Sequence, residues 1–172
     1  MELPEREGGF CARNRGGGGL ASGSLNILLV EDNPDHAELI RRGFAERSKR
    51  VELTVVQDGE QALDFLLRRG AFGVDPRPRP DLVLLDLRLP KLDGFQVLRQ
   101  IKASQQLRRI PTVILTTSDA ESDLVKAYAE HANSYLVKPA DFERFVALAA
   151  NVEEYWFECN RQPRFSEPGG PA

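Results

Sequence analysis

Short apolar runs alternate with stretches whose apolar residues recur at helical spacing, five times over, and no other feature of the chain restricts its fold as much. Leu25-Asn26-Ile27-Leu28-Leu29-Val30 has the length and bounds of a buried strand. Pro34 suits the first turn of a helix, and Ala37, Ile40 and Phe44 then follow at intervals of three and four. Val51-Glu52-Leu53-Thr54-Val55-Val56 repeats the strand signal, and residues 59–69 repeat the helical one with Ala62, Leu63, Leu66 and Leu67 inward. A connection dense in Gly, Pro and Arg spans 70–80. Beyond it come a strand over 81–86, a helix marked by Phe95, Leu98 and Ile101, and a strand over 111–116. A helix with Leu124, Ala127 and Tyr128 follows, then the strand Ser134-Tyr135-Leu136-Val137 and a last helix carrying Phe142, Phe145, Ala149, Val152 and Trp156. Strands that are apolar at successive positions are covered on both faces, and alternation of strand and helix implies a parallel sheet. Right-handed crossovers then place helices on both sides. The expected architecture is α/β, a doubly wound five-stranded parallel sheet in the order 2-1-3-4-5.

The 172 residues suffice for one such unit, expected over 25–158. Residues 1–24 hold Gly8-Gly9 and the run from Gly16 to Gly19 with few apolar groups, and read as a disordered tail. Those glycines are no phosphate loop, because no strand precedes them and no Gly-Lys-Ser/Thr follows. Residues 159–172, with Pro163, Pro168 and Pro171, read as a second tail. A net charge of −3 and a pI near 5.5 argue against a nucleic-acid partner. No apolar run approaches the ~20 residues that span a bilayer, so no membrane role is expected. Cys11 and Cys159 stand near opposite chain ends without metal spacing, which supports neither a disulfide framework nor zinc and suits a cytoplasmic location.

In a sheet of this order, ligands sit beyond the carboxyl ends of the strands. Those ends read Val30-Glu31-Asp32-Asn33, Leu84-Leu85-Asp86, Leu115-Thr116-Thr117-Ser118 and Val137-Lys138-Pro139. Three carboxylates, a hydroxyl and an ammonium would share one rim. Carboxylates crowded together repel, and a divalent cation with a taste for hard oxygens removes the conflict. Mg²⁺ fits, with Asp32 and Asp86 as direct ligands and Glu31 acting through water. Lys138 and Thr116 would contact phosphoryl oxygens. Asp86 then becomes a nucleophile for phosphoryl transfer, a role carboxylates fill elsewhere.

Glu31-Asp32, Asp86, Pro90, Asp93-Gly94, Thr116 and Lys138-Pro139 resemble, in order and spacing, the response-regulator receiver family. The resemblance runs from about Asn26 to Trp156 and implies the flavodoxin-like receiver fold. It implies that Asp86 accepts phosphate from a histidine kinase, that the backbone carbonyl of Arg88 joins Asp32 and Asp86 around Mg²⁺, and that Thr116 and Lys138 hold the phosphoryl group. It also implies a switch shared by Thr116 and Tyr135, and a cis Lys138–Pro139 bond. The long connection over 70–80 and the aromatic end Tyr155-Trp156-Phe157 are similar to stand-alone regulators that partner phytochrome-type histidine kinases. That likeness implies a homodimer with Tyr155, Trp156 and Phe157 in its interface.

Blander roles compete for several of these residues. Asp86 alone could end a strand, and Glu31 and Asp32 could merely favour a helix N-terminus. Thr117 and Ser118 read as loop and capping residues, with a switch role open for Thr117. His36 and His131 stand alone and read as surface or packing residues; Arg77 and Arg79 read as solvated. Two rival functions stand beside this one, one with related chemistry and one with none. A phosphatase of the haloacid-dehalogenase type needs a second aspartate after the nucleophile, where this chain has Leu87 and Arg88. A phosphate-independent adaptor would be expected to lack one of the acids, the hydroxyl or the lysine, and all are present. The chain is therefore read as a signalling switch that acts chemically on itself alone.

Overall fold

The computed structural model describes residues 24–47 and 50–160, with residues 47, 157 and 158 described by backbone alone. Apart from Ser24, Cys159 and Asn160, both expected tails lie outside the described residues. In chain order the elements are β1 (Leu25–Val30), α1 (Pro34–Arg47), β2 (Val51–Val56), α2 (Gly59–Leu67), β3 (Leu82–Leu85), α3 (Gly94–Ala103), β4 (Thr112–Thr116), α4 (Glu121–Ala129), β5 (Ser134–Val137) and α5 (Phe142–Glu153). The strands form one parallel sheet in the order β2-β1-β3-β4-β5, as expected.

Successive strand residues point to opposite faces, and each face builds its own core. Leu28, Val30, Val83, Leu85 and Ile114 join Ala62, Phe65, Leu66, Val97, Leu98 and Ile101 from α2 and α3. Ile27, Leu29, Leu82, Leu84, Val113 and Leu115 join Ile40, Phe44, Phe145, Ala149 and Val152 from α1 and α5. This is why the central strands lack polar alternation: neither side meets water. Trimming one such side chain, as in Leu→Ala, costs about 2–5 kcal/mol through lost burial and the cavity left behind.

Aspartates open three of the helices. Asp58 accepts from the Gln61 amide, Asp93 forms a capping box with Gln96, and Asp141 accepts from the Arg144 amide. Helix α2 ends before the expected residue 69, because Arg68 takes a left-handed conformation at φ 55°. Its guanidinium then bonds the carbonyls of Asp75 (2.8 Å) and Arg77, which ties down the connection over 70–80. Arg77, expected to be solvated, pairs with Asp75 and lies 5.2 Å from the Phe65 ring centroid. Its planar fork finds a carboxylate and an aromatic face at once.

Periodicity misjudged two aromatic side chains. Tyr128 is 51% exposed and Phe142 is 38% exposed, although both fall on the apolar stripes of their helices. A stripe residue is covered only where the neighbouring layer extends over it, which it does not at these two positions. Phe65, not assigned inward, is buried under Arg77 and Phe72. After Glu153 the last helix continues as a π-helical turn (Glu154–Cys159), closed by a bond from the Asn160 amide to the Tyr155 carbonyl. Cys159, left without a partner in the sequence reading, is disulfide-bonded, and Cys11 lies outside the described residues. Among the described residues, no helix is long and apolar enough to cross a membrane.

Candidate functional site

Strand register gathers the polar residues. Val30 lies opposite Leu85, Leu85 opposite Ile114, and Thr116 opposite Val137. The residues that follow, Glu31, Asp86 and Lys138, therefore emerge along one edge of the sheet. All three are buried, as is Thr116. The Lys138 ammonium donates to both Glu31 Oε2 and Asp86 Oδ2, bridging β5 to β1 and β3. A buried ammonium between two buried carboxylates acts as an internal counter-ion. Isolated, either acid would be costly to ionise away from water.

Each acid has further partners. Glu31 Oε1 accepts from the Asn33 amide at 3.2 Å and lies 3.3 Å from His36 Nδ1. His36, read as a lone histidine, thus flanks the site; the first turn of α1 brings it back beside Glu31. Asp86 Oδ1 accepts from the Arg88 amide at 3.2 Å. Asp32 is exposed, yet carboxylate oxygens of Glu31, Asp32 and Asp86 all lie within 4.8 Å of one another. Hard oxygen donors at that spacing, one of them open to solvent, fit a cation such as Mg²⁺ that retains waters.

Behind Asp86 the chain turns at Gly94, whose amide bonds the Leu87 carbonyl at 3.1 Å. A Cβ there would lie 2.1 Å from the Asp86 carbonyl oxygen, so only glycine lets α3 start this close to the strand end.

Thr116 begins a second set of contacts. Its Oγ1 accepts from the Ser118 amide at 3.4 Å. Ser118 Oγ donates to Asp123 Oδ2 at 2.6 Å, and the Ser118 carbonyl accepts from the Tyr135 hydroxyl at 3.0 Å. Burial raises the Tyr135 phenol pKa, partly offset by that bond to Ser118. Asp123 also lies 3.7 Å from the Arg88 guanidinium. Thr117 is exposed, and the connection between the hydroxyl and the aromatic runs through Ser118 instead. Sequence reasoning missed Asp123; a serine five positions before a helical acid was its faint signal.

No peptide bond among the described residues is cis, so the Lys138–Pro139 bond is trans, contrary to expectation. Trans is favoured at X-Pro by about 0.5–1 kcal/mol, and the Lys138 amide here still extends the ladder by bonding the Thr116 carbonyl at 2.7 Å.

The remaining predicted residues lie at the far end of α5. Tyr155 is 54% exposed and meets Trp156 edge-on at 5.2 Å between centroids. Trp156 packs against the α1/α5 core, and the Phe157 side chain lies outside the described residues.

A family model described as the response regulator receiver domain matches residues 27–150. The probable methanogenesis regulatory protein FilR2 of Methanothrix harundinacea (strain 6Ac) is 49% identical over 137 residues, covering 80% of this chain and 86% of its own. Response regulator Rcp1 of Synechocystis sp. (strain ATCC 27184 / PCC 6803 / Kazusa) is 39% identical over 137 residues, covering 80% and 92%. A crystal structure of the Mn²⁺-bound form of Rcp1 superposes with a TM-score of 0.74 at 38% identity, over 81% of this chain and 99% of that one. The phosphorylated cyanobacterial phytochrome response regulator RcpA superposes with a TM-score of 0.77 at 37% identity, over 83% and 100%.

Proposed function

The chain belongs to the response regulator receiver family, and on that premise we propose that its unit over 25–158 is a phospho-switch in which Asp86 accepts a phosphoryl group from a sensor histidine kinase with the help of Mg²⁺. The observation that carries this reading is the buried contact of Lys138 with Asp86 and Glu31 at the rim of the sheet. A carboxylate oxygen of Asp86 attacks the phosphorus, the bond to the donor breaks, and an acyl phosphate forms. Lys138, already beside Asp86, then donates to a phosphoryl oxygen, and the Thr116 hydroxyl donates to another. Asp32, Asp86 and the Arg88 carbonyl would hold the metal directly, with Glu31 behind a water. When bound, Mg²⁺ neutralises charge on the carboxylate and phosphoryl oxygens. The outer role for Glu31 is supported by its engagement with Lys138, Asn33 and His36, whereas Asp32 is open. By calorimetry, Asp32→Asn weakens Mg²⁺ binding far more than Glu31→Gln; equal losses would show that the direct and water-mediated roles are misassigned.

Thr116 and Tyr135 would carry the switch. Turning the Thr116 hydroxyl toward a phosphoryl oxygen would draw on the Ser118 amide that donates to it, and through Ser118 on Tyr135; the bond to phosphate exists in one state only, which is the differential contact that a population shift requires. In Thr116→Ala, phosphorylation still proceeds, but the amide shifts it causes around Tyr135 shrink. Identical shifts in wild type and variant would detach Thr116 from the switch.

The likeness to phytochrome response regulators favours a phytochrome-type kinase, such as a bacterial phytochrome, as the donor; the 49% identity to FilR2, a probable methanogenesis regulatory protein, favours a different sensor. Phosphotransfer to the full chain from a phytochrome-type kinase and from an unrelated histidine kinase separates them, the faster donor deciding. Output would pass through protein contact or dimer state. A homodimer through Tyr155, Trp156 and Phe157 is supported by an exposed aromatic standing on one anchored in the core. Sedimentation at micromolar concentration then gives a dimer that Tyr155→Ser with Phe157→Ser weakens at least tenfold; a monomer at all concentrations would exclude it.

A further inference from the structure

We propose that Lys91 and Asp58 form a positioning pair for the loop between β3 and α3, setting the Arg88 peptide beside Asp86; this rests on the reading of the Arg88 carbonyl as a metal ligand. Three polar side chains of that loop leave it in three directions. The Arg88 guanidinium reaches toward Asp123 on α4, and Asp93 caps α3. Lys91 crosses instead to the start of α2, where its Nζ lies 2.6 Å from Asp58 Oδ2 and 3.6 Å from Glu60.

Asp58 is buried and fully engaged, since it also accepts from the Gln61 amide at 2.8 Å and the Gln61 side chain at 2.9 Å. Burial raises its pKa, but the Gln61 amide and the Lys91 ammonium more than offset that and leave it lowered, so the pair is charged at neutral pH. A charged acceptor in this setting fixes its donor more strongly than a neutral one.

The backbone of Lys91 stands at φ 62°, a left-handed conformation that crowds its Cβ against the following carbonyl. Such a conformation persists where the surroundings over-determine it. Here they do. A Cβ on Gly59 would lie 2.3 Å from the Leu92 carbonyl oxygen, so the first residue of α2 is pressed against the residue after Lys91. Leu92 in turn donates its amide to the Pro90 carbonyl at 2.8 Å. The loop is thus clamped to α2 on one side while its other side presents Arg88, whose amide bonds Asp86. A backbone ligand has no rotamer with which to adjust, so a shift of this loop would move the ligand itself. Groups that orient metal ligands from behind commonly change metal affinity by about tenfold or more when removed.

The test measures Mg²⁺ affinity by calorimetry on the full chain, with the melting temperature in the absence of metal recorded beside it. Lys91→Asn accepts positive φ but lacks the ammonium, and Lys91→Arg keeps a cation. The expected result is about a tenfold loss of Mg²⁺ affinity in Lys91→Asn and in Asp58→Asn, substantial recovery in Lys91→Arg, and no further loss in the Lys91→Asn/Asp58→Asn double variant. Affinity within twofold of wild type in Lys91→Asn, together with a clear loss in Asp32→Asn, would overturn the positioning role and leave the metal site standing. Wild-type affinity in both Lys91→Asn and Asp32→Asn would overturn the site as well.

Discussion

Incubated with Mg²⁺ and acetyl phosphate, the full chain gains one phosphoryl group by intact mass, and Asp86→Asn gains none. The geometry leaves few competing acceptors. Glu31 is buried and held by Lys138, by the Asn33 amide and against His36, while Asp32 is exposed at the mouth. Asp86 combines burial, a fixed strand-end position and a cation in contact with its carboxylate. Amide in place of carboxylate removes the nucleophile yet keeps the shape, so the fold survives the substitution. The expected loss is complete rather than partial, because the two neighbouring carboxylates are otherwise placed, Glu31 held by Lys138 and Asp32 exposed at the mouth. Peptide mapping of a hydroxylamine-sensitive phosphate to any residue other than Asp86 would defeat the assignment.

The layered architecture was legible because it depends on patterns that survive without a partner. Apolar residues at every position of 27–30 and 82–85 demand cover on both faces, and the two cores provide it. The gathering of Glu31, Asp86, Thr116 and Lys138 followed from strand order, since a parallel sheet aligns its carboxyl ends. What escaped was whatever depends on a side chain's reach or on a turn. Arg68 ends α2 early by adopting a left-handed conformation, which no periodicity announces. Lys91 meets Asp58 across 33 positions, and Asp123 enters the Thr116–Tyr135 linkage from a helix read only for its apolar face. Tyr128 and Phe142 had the spacing of core residues, but spacing fixes a direction around a helix and not the presence of a neighbour there. Lys138 was expected to meet phosphate; that it also bridges two acids follows from side-chain reach, which the sequence does not carry.

That bridge has a consequence for stability. In Lys138→Met the stem keeps its length and apolar character, but Glu31 and Asp86 remain buried with their shared cation gone. Removing one partner of a buried ion pair leaves uncompensated charge and costs about 3–5 kcal/mol. Against a total stability of roughly 5–15 kcal/mol, this is a large fraction. The metal-free variant therefore melts well below wild type. Mg²⁺ reverses the deficit, because a ligand that binds only the folded state stabilises it the more, logarithmically, the further its concentration exceeds the dissociation constant. The same reasoning makes Mg²⁺ bind the variant more tightly, since it no longer enters beside an ammonium. Stability and phosphorylation then separate: the variant with Mg²⁺ folds, yet takes up phosphate far more slowly for want of a donor to the phosphoryl oxygen. Adding Glu31→Gln to Lys138→Met removes one of the two stranded charges and restores part of the metal-free stability. Thermal melts with and without Mg²⁺ on wild type, Lys138→Met and the double variant decide the matter. A metal-free Lys138→Met as stable as wild type would mean that the ammonium is not the counter-ion of these acids.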